Sequence, residues 1–184
     1  SDPVEKHLPE FKGQQVAVDT GDGVRLEPVT RPATVQDLLR HTAGLTYEFL
    51  GTAHVQRLYA QAEIGSRERS NAEFSHTLAA MPLFLQPGTR WAYSRATDVL
   101  GRLLEVLSGR PLGQHLREAI LVPLGMHDTA FVVPQADHRR IAEPFAHDPD
   151  GGIPLRVLDP RQPPAMESGG GGLMSTAADY ARFL

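Results

Sequence analysis

The chain has no cysteine, and its eight histidines, His7, His41, His54, His76, His115, His127, His138 and His147, never recur at three, four or five residues. Those are the spacings that set two imidazoles on one helix face or across one turn for zinc, so no metal site is expected. Gly169 to Gly172 would suit a phosphate cradle, but no Lys-Ser or Lys-Thr follows, and the two lysines are Lys6 and Lys12. The run reads instead as a tight backbone approach ahead of a helix. No serine stands within Gly-x-Ser-x-Gly or three residues before a lysine, so an acyl-transfer nucleophile is not expected within these 184 residues. What remains is Tyr93, set in Pro87-Gly88-Thr89-Arg90-Trp91-Ala92-Tyr93-Ser94-Arg95-Ala96-Thr97-Asp98. A single tyrosine is ordinarily a half-buried core residue with a hydrogen-bonded hydroxyl.

That segment resembles the second catalytic motif of the serine β-lactamase-like family: class C β-lactamases, D-alanyl-D-alanine carboxypeptidases and family VIII carboxylesterases. In those bacterial serine hydrolases a tyrosine opens a helix after a Pro-Gly turn, and Tyr93 takes its place. Three further elements match in the family's order. Leu38-Leu39-Arg40-His41-Thr42-Ala43-Gly44-Leu45 looks like Leu-Leu-x-His-Thr-Ser-Gly-Leu. Pro123-Leu124-Gly125-Met126-His127-Asp128-Thr129 resembles Pro-Leu-Gly-Met-x-Asp-Thr, and Ser168 to Asp179 resembles the glycine-rich entry to a late helix. The opening residues, Asp2-Pro3-Val4 and Leu8-Pro9-Glu10-Phe11, look like the stretch that follows the family's Ser-x-x-Lys helix.

The resemblance implies an α/β (α+β) fold of the β-lactamase/transpeptidase type. The whole chain, 1–184, is then an interior part of that domain, about 30–165 being the mostly helical inserted region and 166–184 the return towards the α/β domain. It implies ester hydrolysis through an acyl-serine, a route that needs no metal or cofactor, with the nucleophilic serine and its lysine outside this chain, Tyr93 handling the serine's proton, and these residues alone inactive. A free phenol titrates near 10, so serving as a base at neutral pH requires a nearby cation. The missing lysine is one candidate. Where β-lactamases and peptidases commonly carry Asn, this motif has Arg95, a departure that favours the esterase-like members. Arg95 is expected either to salt-bridge outward or to lend positive charge beside Tyr93. Trp91 is expected to pack in the floor of a cleft, Ser94 to cap the helix, Asp98 to complement the helix dipole, and His41 to hold a turn near the site. The substrate is thus a small-molecule ester. A β-lactam or D-alanyl peptide is the alternative, and a non-catalytic binding relative the third reading. By analogy esterases lean towards the cytoplasm and lactamases towards the periplasm.

The elements that must hold these residues are legible in the pattern. Val16, Val18, Val24 and Leu26 alternate about Thr20-Gly21-Asp22-Gly23, as in a hairpin. Thr34 caps a short helix through Leu38, Leu39 and Arg40 that Thr42-Ala43-Gly44 stops, and Ser70-Asn71-Ala72-Glu73 has capping-box spacing for a helix to about Met81. Val99, Leu100, Leu103, Leu104, Val106 and Leu107 fall on one helical face, read as core, and Gly109 and Pro111 close it. A helix from Pro111 to Ile120, a strand over Thr129 to Val133, a turn-rich stretch from Pro144 to Pro164 and a last helix capped by Ser175 or Thr176 complete the reading. With 41% hydrophobic and 22% charged residues the composition is that of a folded chain. A net charge of -4 without runs of one sign argues against a nucleic-acid partner, and the longest apolar stretches are far short of the roughly 20 residues of a membrane span.

Overall fold

The computed structural model describes residues 1–21, 23–143 and 159–184. Most of the turn-rich stretch expected from Pro144, together with His147 and Asp22, lies outside the described residues. The chain divides into two compact units, Ser1–His115 with Ala165–Gly171, and Leu116–Pro164 with Gly172–Leu184.

The first unit begins with two short 3-10 turns, Val4–Lys6 and Pro9–Phe11, whose Val4, Leu8 and Phe11 are buried. The hairpin follows as β1, Gln15–Asp19, and β2, Val24–Pro28, antiparallel with Val16 opposite Glu27 and Val18 opposite Arg25. β1 gains a second neighbour, because Ala17 N–H donates to the Leu83 carbonyl at 2.9 Å and Leu83 N–H to Gln15 at 2.8 Å. This places Val16 in the core. Leu26, on the outer strand, is 48% exposed despite its alternation with polar neighbours.

Three helices frame the rest of the unit: α1 (Val35–Leu39), α2 (His54–Gln61) and α3 (Asn71–Ala79). Thr34 caps α1 and Ser70 caps α3, each in a reciprocal box, with Asp37 and Glu73 reaching back to the capping residue's own N–H. The long helix α4 (Ala96–Ser108) packs against α1 and α3 and buries Val99 and Leu103 one turn apart. Each such side chain contributes about 1.5–3 kcal/mol of apolar burial. Gly109 ends α4 in the left-handed conformation, φ 68°, with its N–H on Glu105. The apolar stripe is only partly core, since Val106 and Leu107 are exposed. They lie on the last turn, beyond the reach of α3 where Asn71 Nδ2 donates to Glu105 at 2.8 Å.

The predicted helix from Pro111 splits. Helix α5 (Leu112–Leu116) gives way to a wider π-helical turn over Arg117–Leu121, with Val122 N–H on the Arg117 carbonyl. In the second unit the expected strand at Thr129 to Val133 is absent. Among the described residues only Ala130 pairs, with Met174, through N–H···O bonds of 3.1 and 2.8 Å, and Val133 N–H turns to Pro160 instead. The last helix, α6 (Ala177–Phe183), is capped by Thr176, whose Oγ1 accepts from Asp179 N–H at 3.2 Å. The Asp179 carboxylate then takes Asp128 N–H at 2.7 Å and the Thr129 hydroxyl at 2.9 Å. No helix among the described residues is long and apolar enough to cross a membrane.

Candidate active site

Tyr93 is presented by two turns bonded to each other. The first follows α1: His41 sits at φ 55°, in the left-handed region that few non-glycine residues occupy, and Gly44 at φ 83°. Gly44 has no room for a side chain, because a Cβ would press on the Leu85 carbonyl. The second turn is Pro87-Gly88. Its Gly88 N–H donates to Thr42 at 2.7 Å and Ala92 N–H to His41 at 2.9 Å, which leaves Tyr93 in irregular chain just before α4. Beneath both turns Asp37 gathers Arg31 Nη1 and Nη2 at 2.7 and 3.0 Å, Thr34 N–H at 2.9 Å, and the Thr34 and Thr42 hydroxyls at 2.7 and 3.0 Å. A Cβ on Gly88 would run into that same Arg31 guanidinium.

The Tyr93 ring is 47% exposed and has three aromatic neighbours. His41 and Tyr47 stand 5.0 Å away, and Trp91 lies nearly parallel at 6.3 Å. Phe49 stacks on Tyr47 at 4.8 Å. Such pairs contribute about 0.5–1.5 kcal/mol each beyond their burial, enough to restrict the ring's orientation. Burial pushes the Tyr47 hydroxyl above its ordinary pKa, helped by the negative charge of Asp98, so Tyr47 stays a neutral phenol. Burial likewise lowers His41 and favours the neutral imidazole.

The side chains around Tyr93 are not placed as the motif suggested. Ser94 is buried and does not cap α4; its Oγ meets His41 Nδ1 at 3.2 Å, because the helix begins two residues later at Ala96. Trp91 is 66% exposed rather than packed in a floor. Arg95 points inward: it pairs with Glu48 and, at 3.5 Å, with Asp98, and its Cζ lies 4.7 Å from the centre of the Tyr47 ring. Its charge is therefore compensated by two carboxylates before it reaches Tyr93. Asp98 is 1% exposed and accepts from the Ser168 hydroxyl and, at 3.1 Å, from Gly170 N–H, which goes beyond a dipole role. The glycine run is a close backbone approach, since a Cβ on Gly169 would collide with the Thr97 carbonyl of α4. Tyr47 and Glu48 were not marked by any periodicity; both stand in irregular chain just after Leu45, and only their position behind the His-Thr-x-Gly-Leu element could have pointed to them. Among the described residues no group of three or more His, Asp or Glu is arranged to hold a metal ion.

The Beta-lactamase family model matches residues 1–184. The chain belongs to that family. It is 36% identical over 186 residues to Protein Rv1367c of Mycobacterium tuberculosis, covering 100% of this chain and 46% of that one. Esterase EstB of Burkholderia gladioli is 36% identical over 203 residues, with 99% and 48% covered. The structure of EstCE1, described as a hydrolase with promiscuous acyltransferase activity, superposes with a TM-score of 0.73 at 28% identity and covers 99% of this chain and 50% of that chain. The chain thus spans about half the length of the curated relatives it matches. Its fold is β-lactamase/transpeptidase-like, represented among the described residues by helices and one two-stranded sheet. Of the matched sequence elements, the His-Thr-x-Gly-Leu turn, the tyrosine segment and Gly169 to Gly171 meet in the first unit, and Pro123 to Thr129 belongs to the second.

Proposed function

We propose that this chain is part of a serine hydrolase that cleaves carboxylic esters through an acyl-serine intermediate, with Tyr93 as its catalytic tyrosine. The observation that carries the reading is Tyr93 itself: a half-exposed phenol held by two mutually bonded turns and an aromatic collar, in a chain of this family. The nucleophilic serine and its lysine are assigned to residues outside those given, because no serine here stands three before a lysine. Residues about 30–165 are assigned to the helical inserted region, and 166–184 to the return towards the α/β domain.

In this scheme the serine Oγ attacks the ester carbonyl as its proton passes to the lysine–tyrosine pair. The tetrahedral species collapses to the acyl-serine and the alcohol leaves with a proton. Water then attacks the acyl-serine, and the serine regains its proton. Tyr93 supplies the hydroxyl that holds or passes that proton, and Trp91 an exposed apolar face beside it for the substrate. Ester substrates are favoured over β-lactams by Arg95 in the position commonly held by Asn and by the likeness to EstB. Transfer of the acyl group to an alcohol in place of water is a second reading, favoured by the likeness to EstCE1.

The test is intact mass after incubation of the full-length protein with a fluorophosphonate, alongside turnover of a p-nitrophenyl ester and a chromogenic cephalosporin. A covalent adduct and ester turnover, both lost in Tyr93→Phe, are expected. Absence of an adduct in the native protein would refute the acyl-serine route, and cephalosporin turnover exceeding that of the ester would refute the substrate class.

A further inference from the structure

Beneath the aromatic collar lies a cluster of charges that the proposed chemistry does not use. Arg95 is 7% exposed, and the side chains of Glu48 and Asp98 are 17% and 1% exposed. Arg95 engages Glu48 with two prongs, Nη2 to Oε1 and Nε to Oε2, the latter at 3.3 Å, and turns Nη1 to Asp98. Asp98 is anchored in turn by Ser168 and Gly170. The flat guanidinium lies against the Tyr47 ring, whose centre is 5.0 Å from that of Tyr93. Glu48 directly follows Tyr47 in the chain, so the pair clamps the backbone that carries Tyr47 as well as its ring. Gly65 leaves the space: a Cβ there would collide with Glu48 Oε1 and lie 2.7 Å from Arg95 Nη2.

Burying one cation and two carboxylates costs desolvation that their attraction does no more than offset, so such a cluster is weak as a source of stability. Its strength is geometric, because a guanidinium fork fixes both direction and plane and a lysine does not. We infer that Glu48 and Arg95 are positioning residues, which hold Tyr47 against Tyr93 and so set the direction of the Tyr93 phenol without touching substrate. The inference rests on the reading of Tyr93 above.

The experiment uses the full-length protein in steady state with a p-nitrophenyl ester. Three variants are compared, Glu48→Gln with Arg95→Met as a pair, Gly65→Ala, and Tyr93→Phe. The paired variant removes Arg95 and Glu48 together and leaves Asp98 on its Ser168 and Gly170 donors, and Gly65→Ala displaces the pair while keeping every charge. A misplacement of about 1 Å costs on the order of a hundredfold in rate. Both variants should therefore lose about ten- to a hundredfold in kcat, with KM within about twofold and a native circular dichroism spectrum. If the native protein is active and Tyr93→Phe is not, yet both variants fold and keep kcat within about twofold, the positioning role is refuted while the catalytic reading stands. If both variants unfold, the cluster serves folding and the inference falls. If the native protein is inactive, or Tyr93→Phe keeps full activity, the reading beneath it falls first.

Discussion

Replacing Asp37 by Asn tests how firmly the turn that carries His41 is held. The carboxylate is 8% exposed and accepts five hydrogen bonds, two from Arg31, two from Thr34 and one from Thr42. An amide keeps one acceptor oxygen and places an N–H₂ where an acceptor stood. The threonine hydroxyls can rotate to accommodate it, but an Arg31 N–H then faces another donor and the bidentate ion pair is lost. A hydrogen bond to a charged group is worth about 1.5–3 kcal/mol, and Arg31 is exposed enough to rehydrate, so the net cost should be about 2–3 kcal/mol. The pH dependence sharpens the test. Burial alone would raise the Asp37 carboxyl, but the Arg31 guanidinium and the Thr34 and Thr42 donors outweigh it and hold it well below the usual carboxylate range. In the unfolded chain it titrates near 3.9, so as pH falls the unfolded state takes the proton first. The contribution is whole above about pH 5 and is lost progressively below about pH 4. Urea denaturation of protein and variant at pH 7 and pH 3 reads both effects. A gap of about 2–3 kcal/mol at pH 7 that narrows at pH 3 is expected; a gap unchanged at pH 3, or below about 0.5 kcal/mol at pH 7, would refute the reasoning.

Gly169→Ala should destabilise by about 1–3 kcal/mol in the same assay, since its Cβ meets the fixed Thr97 carbonyl, and a neutral result would mean the two backbones are less close than described. Thr176→Ala removes the α6 cap and should cost about 1 kcal/mol, whereas Thr176→Asp, which keeps an accepting oxygen, should not; equal losses would count against the cap. His41 is held neutral by burial, so its folded pKa lies below the unfolded value near 6.5, and its contribution is present above that value and lost as pH falls through it. His41→Asn, which tolerates the left-handed backbone, should flatten the loss of stability between pH 7 and 5.5, and an equally steep loss in the variant would contradict the assignment.

Elements with local signals were legible in the sequence. Thr34 and Ser70 with their box partners, Gly109 after an apolar stripe, and the alternation about Gly21 each depend on neighbours within a few residues. The failures are where distant chain decides. Val133 reads as a strand residue until its N–H goes to Pro160, and Leu107 reads as core until α3 proves not to reach it. At the site, the motifs pointed to Tyr93 and, 52 residues before it, to the turn that carries His41, whose ring lies 5.0 Å from that of Tyr93. Tyr47, 46 residues before Tyr93, was not singled out, since neither period nor composition links the two. Arg95 was singled out for its charge, yet that charge is spent on Glu48, 47 residues distant.

The helix that follows Tyr93 therefore cannot be what aims it. α4 starts three residues later and fixes only the end of the segment, whereas Ala92 and Gly88 hang from His41 and Thr42, and these in turn from Leu38 and Asp37. Tyr93 is thus controlled from residues 31–48, which hold the Pro87-Gly88 turn and the chain just before it. A surface change on α4, at Arg102 or Val106, lies outside that chain of contacts. Substitutions on the face of Arg31, Asp37, Glu48 or Gly65 lie within it, and they should reach the phenol although none of these residues approaches its hydroxyl.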